Sequence, residues 1–367
     1  MSRGSVKTAV VGALQNSERA LSICEISNVI EQVLGHSVPP SSVRSALNLQ
    51  ADNPDGNVIR VGRGRYTYRA NQSLNESSDM SVDFGKVQLV HADSMQYMGI
   101  MKEASVHAIV TDPPYGLVEF SEKEKNKLRS GRGGVWRIPP TIGGYTRSPL
   151  PRFTTLTKSD LEVISEFFEK FGKLALRVLI PGGNLVMASN PLVVHVVSTA
   201  LAKAGLEPRG QIIRLVQTMR GGDRPKGAEK EFSNVSVMPR SQWEPWIIMR
   251  KPMTGTTAAS LRENFTGGWR RISDDLPFGD VIKSAPTRTS ERELCNHPSL
   301  KPQALMRQLV RASLPLGKGL ILDPFAGGGS TLAAAINLGY SALGIEMDAQ
   351  YFEIAKLGIP KLANLRI

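Results

Sequence analysis

Apolar side chains recur along this chain with two periods, and the change from one to the other marks its organisation. Between residues 6 and 47 the spacing is helical: Val6, Val10, Val11 and Leu14; then Ile23, Ile26, Val29, Ile30 and Val33; then Val43 to Leu47 after Pro40. Ser22 with Glu25 three residues on predicts a capping box at the second helix. Asn57–Val61 and Arg65–Arg69 alternate like strands around Gly62-Arg63-Gly64, a hairpin signal. Three helices followed by a basic hairpin predict a winged-helix-like DNA-binding domain over residues 1–70, with Arg60, Arg63 and Arg65 on the wing. A small capping domain with a solvated hairpin is the alternative. Residues 71–85 are polar and without period, which predicts a linker.

From residue 86 the pattern becomes strand and helix in alternation. Val87–His91 and Val106–Thr111 read as strands. Asp160–Leu179 is a long amphipathic helix with Val163, Ile164, Phe167, Phe168, Phe171, Leu174 and Val178 on one face, ended by Pro181-Gly182-Gly183. Asn184–Ala188, Gln211–Val216, Pro245–Met249, Leu320–Asp323 and Ser341–Ile345 complete about seven strands. This predicts an α/β fold, a doubly wound, mostly parallel sheet of Rossmann-like type over residues 86–367. Residues 117–155 break the pattern, with eight basic residues against three acids, and read as a lid or DNA-binding loop carrying Arg129, Arg132 and Arg137.

Charge narrows the partners. Lys plus Arg is 45 and Asp plus Glu is 33, a net charge of +12 with a pI near 9.8, which favours a polyanion. No run of eighteen apolar residues occurs and the amino terminus lacks a signal pattern, so a cytoplasmic, nucleoid-associated protein is expected and a membrane one is not. Cys24 and Cys295 have neither metal-ligand nor redox spacing, and His91, His195 and His297 show no paired ligand spacing, so no metal is expected.

The chemistry lies in two loops that each follow an apolar, β-branched run. They are Thr111-Asp112-Pro113-Pro114-Tyr115-Gly116 and Asp323-Pro324-Phe325-Ala326-Gly327-Gly328-Gly329-Ser330-Thr331. Both fall at the carboxyl end of a predicted strand, where open α/β sheets bind ligands. Together with His297-Pro298-Ser299-Leu300-Lys301-Pro302 and Gly344-Ile345-Glu346-Met347-Asp348, they resemble the amino-methyltransferases of DNA, which move a methyl group from S-adenosylmethionine to an exocyclic base nitrogen. The tetrad precedes the glycine loop by more than two hundred residues, similar to the permuted β arrangement of that family.

The resemblance implies roles. Asp112 and the carbonyl of Pro113, stiffened by Pro114, would accept hydrogen bonds from the amine and aim its lone pair, with Tyr115 stacking on a flipped-out base. Asp112, Asp323, Phe325, Ala326, Gly327, Gly329 and Ser330 would line the donor, Glu346 would accept its ribose hydroxyls, and Asp93 would meet its adenine. Lys301 would pair with its carboxylate. Residues 253–296, with Arg270 and Arg271, occupy the slot for target recognition. An Asp-led tetrad goes with adenine N6, a Ser-led one with cytosine N4, and cytosine stays the alternative. A non-catalytic DNA-binding regulator and an RNA methyltransferase are further alternatives, whereas an Asn-led tetrad would have pointed to protein glutamine. A homodimer and a companion restriction endonuclease are carried-over expectations. Leu332 stands where a dehydrogenase would have its third glycine, and no Gly-Lys-Ser/Thr makes a P-loop.

Overall fold

The computed structural model describes residues 3–15, 17, 21–51, 58–62, 65–68, 80–114, 141–142, 145–146, 158–216 and 222–367. The chain divides into two compact units, Met1–Asp79 and Met80–Ile367.

In the first unit the helices Arg3–Gln15, Ile23–Leu34 and Pro40–Ala51 accompany a three-stranded antiparallel sheet. Its strands are β1 (Leu21–Ser22), β2 (Val58–Gly62) and β3 (Arg65–Tyr68), in the order β1-β3-β2. The capping box forms: Glu25 N donates to Ser22 Oγ at 3.3 Å and Ser22 N to Glu25 Oε2 at 2.8 Å. Helical periodicity turns Val10, Leu14, Ile26, Ile30, Val43 and Leu47 inward, where they close over Val58 and Tyr66. Each such side chain removed from water contributes roughly 1.5–3 kcal/mol.

The second unit is built on a nine-stranded sheet in the order β12-β10-β11-β9-β6-β13-β14-β5-β4. The strands are β4 (Ser81–Phe84), β5 (Val87–His91), β6 (Val106–Thr111), β9 (Leu179–Ala188), β10 (Glu207–Leu215), β11 (Trp243–Arg250), β12 (Val281–Lys283), β13 (Leu320–Asp323) and β14 (Ser341–Glu346). A separate two-stranded pair, β7 (Thr141–Ile142) and β8 (Tyr145–Thr146), lies outside it. Only β4 and β11 run against the other seven.

Two edge strands extend the expected seven. β4 falls within the stretch expected as linker; Val82 and Phe84 pack on the core while Ser81 stays exposed, a period of two masked by polar neighbours. β9 starts directly after the helix Lys158–Val178, so Pro181-Gly182-Gly183 lies inside the strand rather than in a turn before it.

Helices cover both faces. Gln303–Ser313, Ser330–Leu338 and Ala349–Ala363 bury Leu305, Leu309, Leu332 and Phe352 on one. Ser94–Ile100, Lys158–Val178 and Val194–Lys203 bury Met98, Ile164, Phe168, Phe171 and Leu201 on the other. With water excluded from both sides, the inner strands need no polar alternation, which is why they read as continuous apolar runs. β6 is followed by a helix on the second face and β13 by one on the first. The chain therefore parts between these two neighbours, and a crevice opens at their carboxyl ends. Among the described residues no helix is long and apolar enough to cross a membrane.

Candidate active site

The parallel register of β6 and β13, Ala108 beside Ile321 and Ile109 beside Leu322, brings Asp112 level with the start of the glycine loop. Thr111 Oγ1 donates to Asp323 Oδ1 at 2.7 Å, and Phe325 N donates to the same oxygen at 3.2 Å. Asp323 is thus buried and occupied in shaping the loop. Burial pushes its carboxyl up to about 6, although these hydrogen bonds pull the other way. Ala326 N donates to Ile345 O at 2.9 Å and Gly327 N to Glu346 Oε2 at 2.8 Å, so the loop is laced to the end of β14. Glu346 Oε1 also accepts from Asp348 N at 2.8 Å.

Two of the glycines are required by geometry. Gly329 has φ 75° and opens the helix Ser330–Leu338; a Cβ there would lie 2.3 Å from Ile359 Cγ1. Gly327 has φ 49°, and a Cβ would lie 2.9 Å from the ring of His297. At both positions a side chain is blocked by the packing behind the loop, so the turn keeps its tight backbone path only with glycine there. Ser330 Oγ accepts from Lys301 N at 3.2 Å. Phe325 stands 5.6 Å from the ring of Phe171. Asp93 caps the helix Ser94–Ile100 through Gln96 N at 2.9 Å, and Ser94 Oγ donates to Pro324 O, which ties the end of β5 to the same loop.

Asp112 is approached from the other side. Lys301 Nζ lies 2.9 Å from Asp112 Oδ2 and 3.2 Å from Glu244 Oε1. Burial works against charge on Lys301, yet the two carboxylates outweigh it and its pKa is raised. Glu244 is largely enclosed as well, which pushes its carboxyl up, but Lys301 and Arg214 outweigh this and hold it below the ordinary glutamate range. Arg214 Nη1 donates to Glu244 Oε2 at 2.8 Å across the directly paired positions of β10 and β11. Neither Glu244 nor Arg214 stands out in the sequence. The strands that carry them hold other charged residues as well, Glu207 and Arg209 on β10 and Arg250 on β11, so nothing local singles out this pair.

His297 stacks edge-on against Tyr351 at 4.3 Å, and burial lowers its pKa to about 4, so it is neutral at physiological pH. Cys295 Sγ donates to Gly328 O at 3.3 Å, close against Gly358; burial raises its thiol to about 11. Cys24, by contrast, is exposed.

Of the other residues expected at sites, Tyr115, Arg63, Arg129, Arg132 and Arg137 lie outside the described residues. Arg60 donates from Nη2 to Asn48 Oδ1 and to Tyr66 OH, both at 2.8 Å, tying its hairpin to the helix Pro40–Ala51. Arg65 is exposed on β3. Arg270 donates to Tyr340 OH beside Gly317, and these two positions precede β14 and β13. It therefore sits at the amino ends of the strands, opposite Asp112. Exposed Arg271 is nearby, bonded to Ser273 O. Within 253–296 the first part is tied to that amino end, as Gly267 N donates to Gly182 O. From Ser284 onward the segment runs along the carboxyl edge, where Ser284 and Ala285 meet Arg214.

A family model described as DNA methylase matches residues 106–357. The Type II methyltransferase M2.DpnII of Streptococcus pneumoniae is 26% identical over 277 residues, covering 74% of this chain and 88% of its own length. Type II methyltransferase M.HindIII of Haemophilus influenzae is 25% identical over 304 residues, 74% of this chain and 96% of its own. The DNA adenine methyltransferase YhdJ of Escherichia coli is 34% identical over 136 residues, 33% of this chain and 45% of its own.

Proposed function

Because the chain belongs to the DNA methylase family, we propose that it transfers the methyl group of S-adenosylmethionine to N6 of adenine in DNA. The observation that carries this reading is the meeting of Asp112 and the 323–330 loop at one crevice, between strands whose helices leave on opposite faces. The choice of adenine rests on the Asp-led tetrad and on similarity to a DNA adenine methyltransferase.

When bound, S-adenosylmethionine supplies a methyl group made electrophilic by its sulfonium. The bare backbone at Gly327 and Gly329, with Phe325, Ala326 and Ser330, would hold it, and Glu346 would take its ribose. The adenine amine is a weak nucleophile because its lone pair is delocalised into the ring. Asp112, accepting a hydrogen bond from the amine, draws the nitrogen toward tetrahedral geometry and frees that lone pair. The Pro113 carbonyl, fixed by the proline backbone, is the second acceptor. Tyr115 provides the face on which the base stacks once it has left the duplex. Asp112→Ala should lower transfer at least ~10³-fold while the donor binds much as before. The check is modification-sensitive sequencing of DNA from cells expressing each form. A modified adenine in one short motif, absent from the variant, is the expected result; near-parental modification by the variant would refute the assignment, and modified cytosine would change the base.

The amino-terminal unit fits a role in DNA affinity, through exposed Arg65 and the neighbouring Arg63 rather than through the engaged Arg60. Removing residues 1–75 should weaken DNA binding and flatten its dependence on salt, since every phosphate that a basic side chain neutralises adds close to one unit to the logarithmic slope. An unchanged slope would assign the unit another role.

A further inference from the structure

Charges of alternating sign run inward from Asp112. Lys301 Nζ is shared between Asp112 Oδ2 and Glu244 Oε1 at 2.9 and 3.2 Å. Glu244 Oε2 accepts from Arg214 Nη1 at 2.8 Å, and two further donors of the guanidinium go to Ser284 Oγ at 3.1 Å and Ala285 O at 3.0 Å. Strand parity puts these groups on one face. Asp112 continues the alternation of Ala108 and Val110, Glu244 that of Trp246 and Ile248, and Arg214 that of Ile212, all of which pack in a single core cluster. Arg214 is 5% exposed. Buried ion pairs are seldom better for stability than apolar residues of the same size. A line of them leading to the end of β6 therefore calls for a reason other than stability.

We propose that Glu244, oriented by Arg214, is a positioning residue that draws part of the Lys301 ammonium away from Asp112, so that the carboxylate can receive the target amine. This rests on the reading of Asp112 as the catalytic carboxylate. A buried ammonium with a single counter-charge closes on it and directs its donors at both oxygens, competing with the amine for the same lone pairs. A second carboxylate on the far side divides those donors. Lys301 then anchors Asp112 by one oxygen, and the ammonium takes no part in holding the methyl donor.

In the full-length protein, Glu244→Gln keeps the shape and removes the charge. Single-turnover transfer to DNA should slow by about tenfold or more, with affinity for S-adenosylmethionine and KM for DNA within about twofold of the parent. Glu244→Asp should recover part of the rate. Parental transfer by Glu244→Gln overturns the proposal, and so does a loss of rate matched by an equal loss of donor binding. Should Glu244→Gln fail to fold, Arg214→Met combined with Glu244→Met removes the pair together and is read the same way. Asp112→Ala separates the two levels. If it still transfers methyl groups, both the catalytic assignment and the positioning role fall. If it is inactive while Glu244→Gln runs at the parental rate, only the positioning role falls.

Discussion

The two halves of the crevice are constructed by different means. On the β13–β14 side the shape is set by backbone: Gly327 and Gly329 in left-handed conformation, with Ala326 N and Gly327 N bonded to the end of the adjacent strand. On the β6–β11 side it is made of charged side chains drawn from segments more than fifty residues apart: Asp112, Glu244 and Lys301. A backbone cradle holds a shape that many ligands of one class share, and it fails when volume is added. A charge relay orients one group, and it fails when a single charge is removed.

The largest effect should come from Lys301→Met, which leaves Asp112 and Glu244 facing each other without the cation between them. Removing one member of a buried ion network costs about 3–5 kcal/mol. A fall of that size in urea-unfolding stability at unchanged m, with transfer abolished, is the expected outcome. A loss under about 1 kcal/mol would mean that this half is held by packing instead.

A smaller effect should distinguish the backbone half, where two groups titrate in opposite senses. Asp323, raised from 3.8 to about 6, binds its proton more tightly folded than unfolded. Its contribution therefore favours folding at low pH and is lost as pH rises from about 4 through 6. His297, lowered from 6.5 to about 4, contributes with the reverse sign, so stability falls as pH drops from about 6.5 toward 4. The two nearly cancel in the parent. Asp323→Asn should leave a protein that loses about 1–2 kcal/mol on acidification from pH 6.5 to 4.5, and His297→Phe one that gains a similar amount. Denaturant midpoints at the two pH values provide the check, and parallel curves for both variants would contradict the assignment.

This contrast also explains what could be read from the sequence. The 323–331 loop and the Asp112 tetrad are contiguous, each placed by the strand before it, and the central strands announce themselves as apolar runs. Glu244 and Arg214 become neighbours only through the antiparallel register of β10 and β11, which leaves no local trace. β12 has three residues and pairs with a strand about seventy positions earlier, too short a run to show a period. Arg270 and Arg271 read as DNA contacts because they are basic and lie in an irregular stretch. Where such a stretch lands is set by the direction of β11, which delivers it to the amino ends of the sheet.

The packing of Cys295 under the glycine turn has a practical corollary. Thiol reagents need a thiolate and room to approach, and this sulfur, buried and raised to about 11, has neither. Cys24, exposed on the helix Ile23–Leu34, is the other cysteine of the chain. The native protein therefore carries its own single attachment point, and a fluorophore or spin label placed there leaves the catalytic unit chemically untouched.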